Sequence, residues 1–364
     1  MDLERIDLIC IFDFELDLDG AALRKLLASV PSHLNQAVAR SSTSFDWLFY
    51  RPLAGLSSLE EAAKGGSPAL PGFRRIGLKA PDHVDEVPGR PMGALVSVCA
   101  DLGIGSFVYW SRVDGNHDPL QLKWSLDLFL PREYQSQIEA LASHMTELER
   151  LYPFVALMST STSIEQIVSS DAAALGAVFT GGREHQPESI LQSYVRSNLS
   201  DRDYECFLAR WTDGLAVYAK LDEELYELSM WRLAQVYELA ILGRRALRTY
   251  VNRNNSIAKT YRLRPRFVGI EQRRDRLLQT QSLLMRGLPI QSDESRVLIE
   301  RVSKSFHLDG LEEDAKRSFE FLEGRFQFAK ATFLGALAVF LFLVTNWKKL
   351  KPFVDLLARL LHRS

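Results

Sequence analysis

The chain has 364 residues, of which 46% are hydrophobic and 25% charged, and its formal net charge is −2. That balance suits a protein folded mostly in water, with room for two folded regions, and it excludes a many-span membrane protein and a general polyanion binder. Cys10, Cys99 and Cys206 lie far apart without CxxC spacing, so neither a disulfide framework nor a zinc site is indicated.

The opening residues, MDLERIDLICIFDFELDLDG, have acids on both sides of their apolar positions and no basic segment, which predicts a strand and not a signal peptide. From Ile6 to Leu18, apolar residues alternate with Asp13, Glu15 and Asp17, the pattern of a strand with one buried and one solvated face. Glu15, Asp17, Asp19 and Gly20 look like the start of an EF-hand loop, yet its twelfth position is Leu26, where calcium needs a bidentate Glu. Further strands are expected at residues 45–50, 73–78, 94–99, 106–113 and 120–130, with turns at Gly103-Ile104-Gly105 and Asp114-Gly115-Asn116. The Gly- and Pro-rich stretch 65–91 reads as a surface excursion.

Chemistry-bearing motifs are few. Gly103-x-Gly105 precedes the strand-like SFVYWSRV, whereas phosphate cradling needs a helix N-terminus there, so it reads as a hairpin. Gly181-Gly182-Arg183-Glu184-His185 reads as a strand-to-helix loop before a helix starting near Pro187, with an anion site as the alternative. His117 beside Asp118 reads as a turn residue; no HExxH or other metal spacing occurs, and no Gly-x-Ser-x-Gly elbow. Enzyme activity has no positive support, and no cofactor or metal ligand set is expected.

Beyond Pro131 the pattern turns helical. Residues 132–151 and 187–218 read as helices, 154–158 as a strand, and a long amphipathic helix runs from Leu221 through about Tyr250. Between residues 244 and 276 basic residues dominate, with only Glu271 and Asp275 opposing them. Arg244, Arg245, Arg248, Arg262, Arg264, Arg266, Arg273 and Arg274 are the candidates for holding nucleic acid, anionic lipid headgroups or a phosphorylated ligand; a solvated helix face is the alternative.

A last long helix is expected from about Ser292, where short polar and acidic residues suit an N-terminus. Leu308, Leu311, Ala315, Phe319, Leu322, Phe326, Ala329 and Phe333 follow at steps of 3, 4, 4, 3, 4, 3 and 4, a heptad seam with Leu311, Phe319, Leu322 and Phe326 as its candidate contacts between copies. Packing inside one chain is the other reading. Gly310 is a candidate hinge. The seam runs into residues 331–347, ATFLGALAVFLFLVTNW, which hold no charge and as a helix span roughly 25 Å. Trp347 with Lys348, Lys349 and Lys351 reads as an interfacial belt, which favours a membrane anchor over a buried core helix. Ala331, Gly335 and Ala338 put small residues on one face, and Asn346 closes the span. Lys316, Arg317, Arg325 and Lys330 before the span nearly balance Lys348, Lys349, Lys351, Arg359 and Arg363 after it, so charge sets no orientation.

The expected fold class is α+β: a β-rich N-terminal α/β cytoplasmic domain (1–185), a helical region with the arginine-rich segment (186–291), a stalk helix (292–330), one C-terminal transmembrane helix (331–347) and an amphipathic interfacial tail (351–364). This organisation resembles the CorA-type divalent-cation channels. That family closes its first membrane helix with Gly-Met-Asn, where this chain has Val344-Thr345-Asn346; Asn346 alone matches. The family's second membrane helix has no counterpart, since residues 352–363 divide into apolar and charged stripes. The resemblance implies a homo-oligomer whose body gates an ion-conducting or membrane-perturbing segment, with a divalent cation as partner. The alternative is a non-conducting, membrane-tethered sensor or adaptor for a phosphorylated ligand or a protein. Membrane lipid is a partner in both readings, and nucleic acid in neither.

Overall fold

A computed structural model of the chain describes residues 3–17, 22, 25–26, 73–78, 88–99, 102–115, 117–126, 132–146, 151–159, 162–182, 187–210, 212–260, 274–278, 293–347 and 351. The chain divides into two compact units, residues 1–249 with 276–312 and residues 250–275 with 313–364. The strand expected at 45–50, most of the excursion at 65–91 and the tail at 352–364 lie outside the described residues.

The first unit is built on one mixed sheet. Its strands are β1 (Arg5–Leu16), β2 (Phe73–Leu78), β3 (Arg90–Cys99), β4 (Ile104–Asp114), β5 (Met145–Thr146), β6 (Leu151–Ser159), β7 (Glu205–Ala209) and β8 (Gly214–Ala219). The order is β2-β3-β4-β1-β6-β8-β7, with short β5 pairing the end of β1. Strand β1 is antiparallel to both β4 and β6, while β6 and β8 run parallel.

Strand β1 is buried along nearly its whole length. Ile6, Leu8, Cys10, Phe12 and Phe14 join a core with helices α1 (Pro119–Trp124), α2 (Arg132–Gln135), α3 (Glu139–Ala142), α4 (Ile164–Ser170), α5 (Ala172–Thr180) and α6 (Glu188–Val195). The alternate residues Asp7, Ile9, Ile11 and Asp13 are buried too, on the face that meets α7 (Glu223–Thr260). The solvated face expected for these acids is corrected at Asp13, which is 3% exposed because a second helical layer covers it; Glu15 is half-buried, and Asp17, just past the strand, is exposed.

Other local readings change for identifiable reasons. Residues 119–124 form helix, not strand, because Asp118 accepts the Leu120 amide at 2.9 Å as an N-cap and Pro119 opens the first turn. Residues 205–209 and 214–219 are strands, not helix; every one of them is buried, so the period-2 alternation that marks a half-exposed strand is absent. Residues 172–180 are helical, so Gly181 follows a helix and not a strand, and its φ of +72° ends that helix in the left-handed region.

Helix α7 starts on Asp222, whose carboxylate accepts the Leu225 amide at 2.8 Å, and acidic Glu223 and Glu224 fill its first turn. The expected single stalk from Ser292 is instead two helices, α8 (Asp293–Ser305) and α9 (Leu308–Thr345). The break falls at Phe306-His307, where His307 has a φ of +55° and Phe306 packs edge-on against Tyr237 at 5.6 Å. Gly310, the expected hinge, sits inside α9.

Candidate functional site

Helix α9 runs unbroken for 38 residues, about 57 Å at 1.5 Å per residue. It contains an 18-residue window of mean hydropathy 2.0, none of which is buried within the chain. Ala331, Gly335 and Ala338 are exposed, and a Cβ added at Gly335 would meet nothing within 4 Å. The span's polar side chains turn back on their own helix. Thr332 donates to the Phe328 carbonyl at 2.9 Å, Thr345 to Leu341 at 2.7 Å, and the Asn346 amide group to Phe342 at 3.0 Å. Trp347 is 52% exposed at the end of the run and Lys351 is exposed, while Lys348 and Lys349 lie outside the described residues.

The seam residues divide into two groups. Phe319 and Leu322 are buried, as is Ala315 between them and Leu311; Leu311 and Phe326 are half-buried. Within the second unit, Asn254 donates to Ser318 at 3.0 Å and Arg325 to the Ala258 carbonyl at 3.1 Å. Arg274 pairs with Glu323 at 3.2 Å and lies over the Phe319 ring at 5.8 Å. The upper seam is thus occupied by the chain itself.

Among the described residues, the arginine candidates have different surroundings in each unit. Arg244, Arg245 and Arg248 meet around a cleft also lined by Asp13, Tyr152, Ile241 and Phe306, with room for about one water molecule. Arg245 is buried, 3.6 Å from the Glu15 carboxylate, which also accepts from the Thr249 hydroxyl. As described, the cleft is too small for a phosphoryl group. Arg274 serves the Glu323 pair, and Arg262, Arg264, Arg266 and Arg273 lie outside the described residues.

Of the loop Gly181-Gly182-Arg183-Glu184-His185, only the two glycines are among the described residues. The carbonyl end of α5 points there, and what meets it is a cation: Lys123 donates to Val178 and Phe179 carbonyls at 2.7 and 3.1 Å and pairs with Asp213 at 2.7 Å. Burial lowers the Lys123 ammonium from its ordinary range, opposed by Asp213.

Two buried polar clusters between the sheet and α7 are absent from the sequence reading. In the first, Asp7 accepts from Trp110 Nε1 at 2.6 Å, Arg112 Nε at 2.9 Å and the Tyr226 hydroxyl at 2.5 Å. Arg112 also donates to Glu227 Oε1 at 2.6 Å and lies over the Trp110 ring at 4.9 Å. Burial would lower the Arg112 guanidinium, but Asp7 and Glu227 outweigh it and hold the group protonated. In the second, Glu238 accepts from Ser97 and Ser106, each at 2.6 Å. The available signal was Glu227 and Glu238, three helical turns apart among the apolar positions of α7, where a core-facing stripe ordinarily carries no acid.

Compared with protein-family models, curated proteins and solved structures, the chain matches none. The fold itself defines an α/β body with, among the described residues, one helix long and apolar enough to cross a membrane.

Proposed function

We propose that the chain is a membrane-anchored, homo-oligomeric protein of CorA-like organisation, whose cytoplasmic α/β body controls a single membrane-crossing helix per copy and ion passage beside it. One observation carries the reading: the window of hydropathy 2.0 in α9 is wholly unburied. Each exposed Leu, Val or Phe forgoes about 1.5–3 kcal/mol of burial, so a run including Phe333, Leu337, Phe340 and Leu341 needs a cover, and a bilayer supplies it over the full length. With one span per copy, a conducting path needs several copies around an axis, and Ala331, Gly335 and Ala338 would let those helices approach. A divalent cation is the ion the resemblance suggests.

A second reading has its own support. Because Thr332, Thr345 and Asn346 spend donors on their own helix, a non-conducting anchor that holds a sensor or adaptor at the membrane also fits. Ion flux into liposomes carrying the purified full-length protein separates the two. Flux in wild type that changes in both Asn346→Leu and Gly335→Leu supports conduction. Silence toward monovalent and divalent cations, with assembly intact, leaves the adaptor. Recovery of a chain truncated after Lys330 in the membrane fraction at the full-length level would overturn the anchor itself.

A further inference from the structure

We propose that a second copy of this chain packs on the outward face of α9, along Phe321, Gly324, Phe328, Ala331, Gly335 and Ala338, a surface distinct from the seam of Phe319 and Leu322. The inference rests on residues 331–347 lying in a membrane and deepens that reading by naming the surface of self-association.

The face is defined by the chain's own packing. Ala315, Phe319 and Leu322 are buried within one chain, so they are already covered. At about 100° per residue, the row from Phe321 to Ala338 is centred roughly 180° from them. In the stalk portion of that row, Phe321 is 52% and Phe328 75% exposed, seven residues apart, and a Cβ added at Gly324 between them meets nothing within 4 Å. A lone exposed phenylalanine needs no explanation, but two in heptad register flanking an open glycine form a knob-and-gap surface.

Lipid does not suit Phe321. It lies ten residues before Ala331, about 15 Å along the helix, among Glu320, Glu323, Arg325 and Lys330. The occupant is another copy because the row continues unchanged in phase, at steps of three and four, from this charged stretch into the uncharged span. One straight neighbour with the same repeat covers both parts. Traced back from Phe321, the same row carries Arg317 and Asp314, and Arg317 is paired with Glu313 on its own helix, so the apolar contact begins at Phe321. The two phenylalanines together expose on the order of 250 Å² per copy, about a third of the ~800 Å² per partner of a stable interface; the membrane portion of the row supplies the rest.

Cysteine cross-linking in native membranes tests this with the full-length chain, since Cys10, Cys99 and Cys206 are buried and the wild type serves as the blank. Copper-phenanthroline oxidation should give a disulfide-linked dimer from Phe321→Cys and from Phe328→Cys, but not from Lys330→Cys, which points about 120° away from the row. Adding Gly335→Leu should lower the yield at position 321 by roughly tenfold. Carbonate extraction runs in parallel on every variant. Protein that stays in the membrane yet cross-links equally at all three positions, or at none, overturns the seam; protein that is extracted as soluble overturns the membrane reading beneath it. Undiminished yield in the Gly335→Leu background would also count against the seam.

Discussion

Arg112 ties α7 to the sheet through two buried acids. Its guanidinium is 9% exposed and stands between two carboxylates that are almost entirely inside, Asp7 and Glu227. Glu227 Oε2 is buried without a hydrogen-bond partner, so that carboxylate leans on Arg112 for its compensation. Removing one partner of a buried pair leaves uncompensated charge, which costs more than the intact pair contributes. Arg112→Met, which keeps an aliphatic stem over Trp110, should therefore lower the unfolding free energy by about 3–5 kcal/mol. The denaturant midpoint of full-length protein in detergent measures it. A loss under ~1 kcal/mol would mean that water reaches the two acids.

At the scale of elements, the heptad in α9 shows what a periodic pattern reveals and where it stops. The steps from Leu308 to Phe333 are visible in the sequence, and they mark a packing face; nothing in them says what packs there. Within the chain, Leu322 is 5% exposed beside the Asn254–Ser318 and Arg325–Ala258 contacts of the second unit. Leu322→Asp should thus loosen this unit's own fold by several kcal/mol, through a carboxylate buried without a partner. Limited proteolysis would then cut between residues 313 and 330 many times faster than in wild type. Normal protease resistance with lowered oligomer mass would place Leu322 between copies instead. The same limit explains β1. Its alternation was legible, but an acid facing water and an acid facing Arg112 or Ser106 read alike, because the partners lie about a hundred residues away. The strands β7 and β8 were not legible, since five or six residues buried on both sides carry no alternation to detect. The uncharged span was legible from composition alone, whereas the sheet-to-helix clusters required the tertiary fold.

Across the whole body, burial of neutral acids makes a pH signature. Burial pushes the Cys10 and Cys206 thiols up to about 12 from 9.0, and it raises the hydroxyls of Tyr134, Tyr218 and Tyr226 above 10.0. In each case the folded chain keeps a proton that the unfolded chain gives up, so unfolding releases protons once the pH passes the unfolded values. The stability these groups contribute is complete below about pH 9 and is lost as the pH climbs through the folded values, near 12 for the thiols. The denaturant midpoint should therefore fall steadily above pH 9. Tyr134 separates this cause from general alkaline damage, because its hydroxyl is buried without a hydrogen-bond partner while its ring packs against Phe107 and Tyr109 at 5.7 and 6.2 Å. Tyr134→Phe keeps the ring and removes the group that titrates. At pH 7 it should be neutral or stabilising by up to about 1 kcal/mol, since no bond is lost and one desolvated hydroxyl is removed. Above pH 10 its midpoint should fall less steeply than that of wild type. A variant that loses stability at pH 7, or follows the wild-type slope up to pH 11, would show that this hydroxyl has a partner in solution.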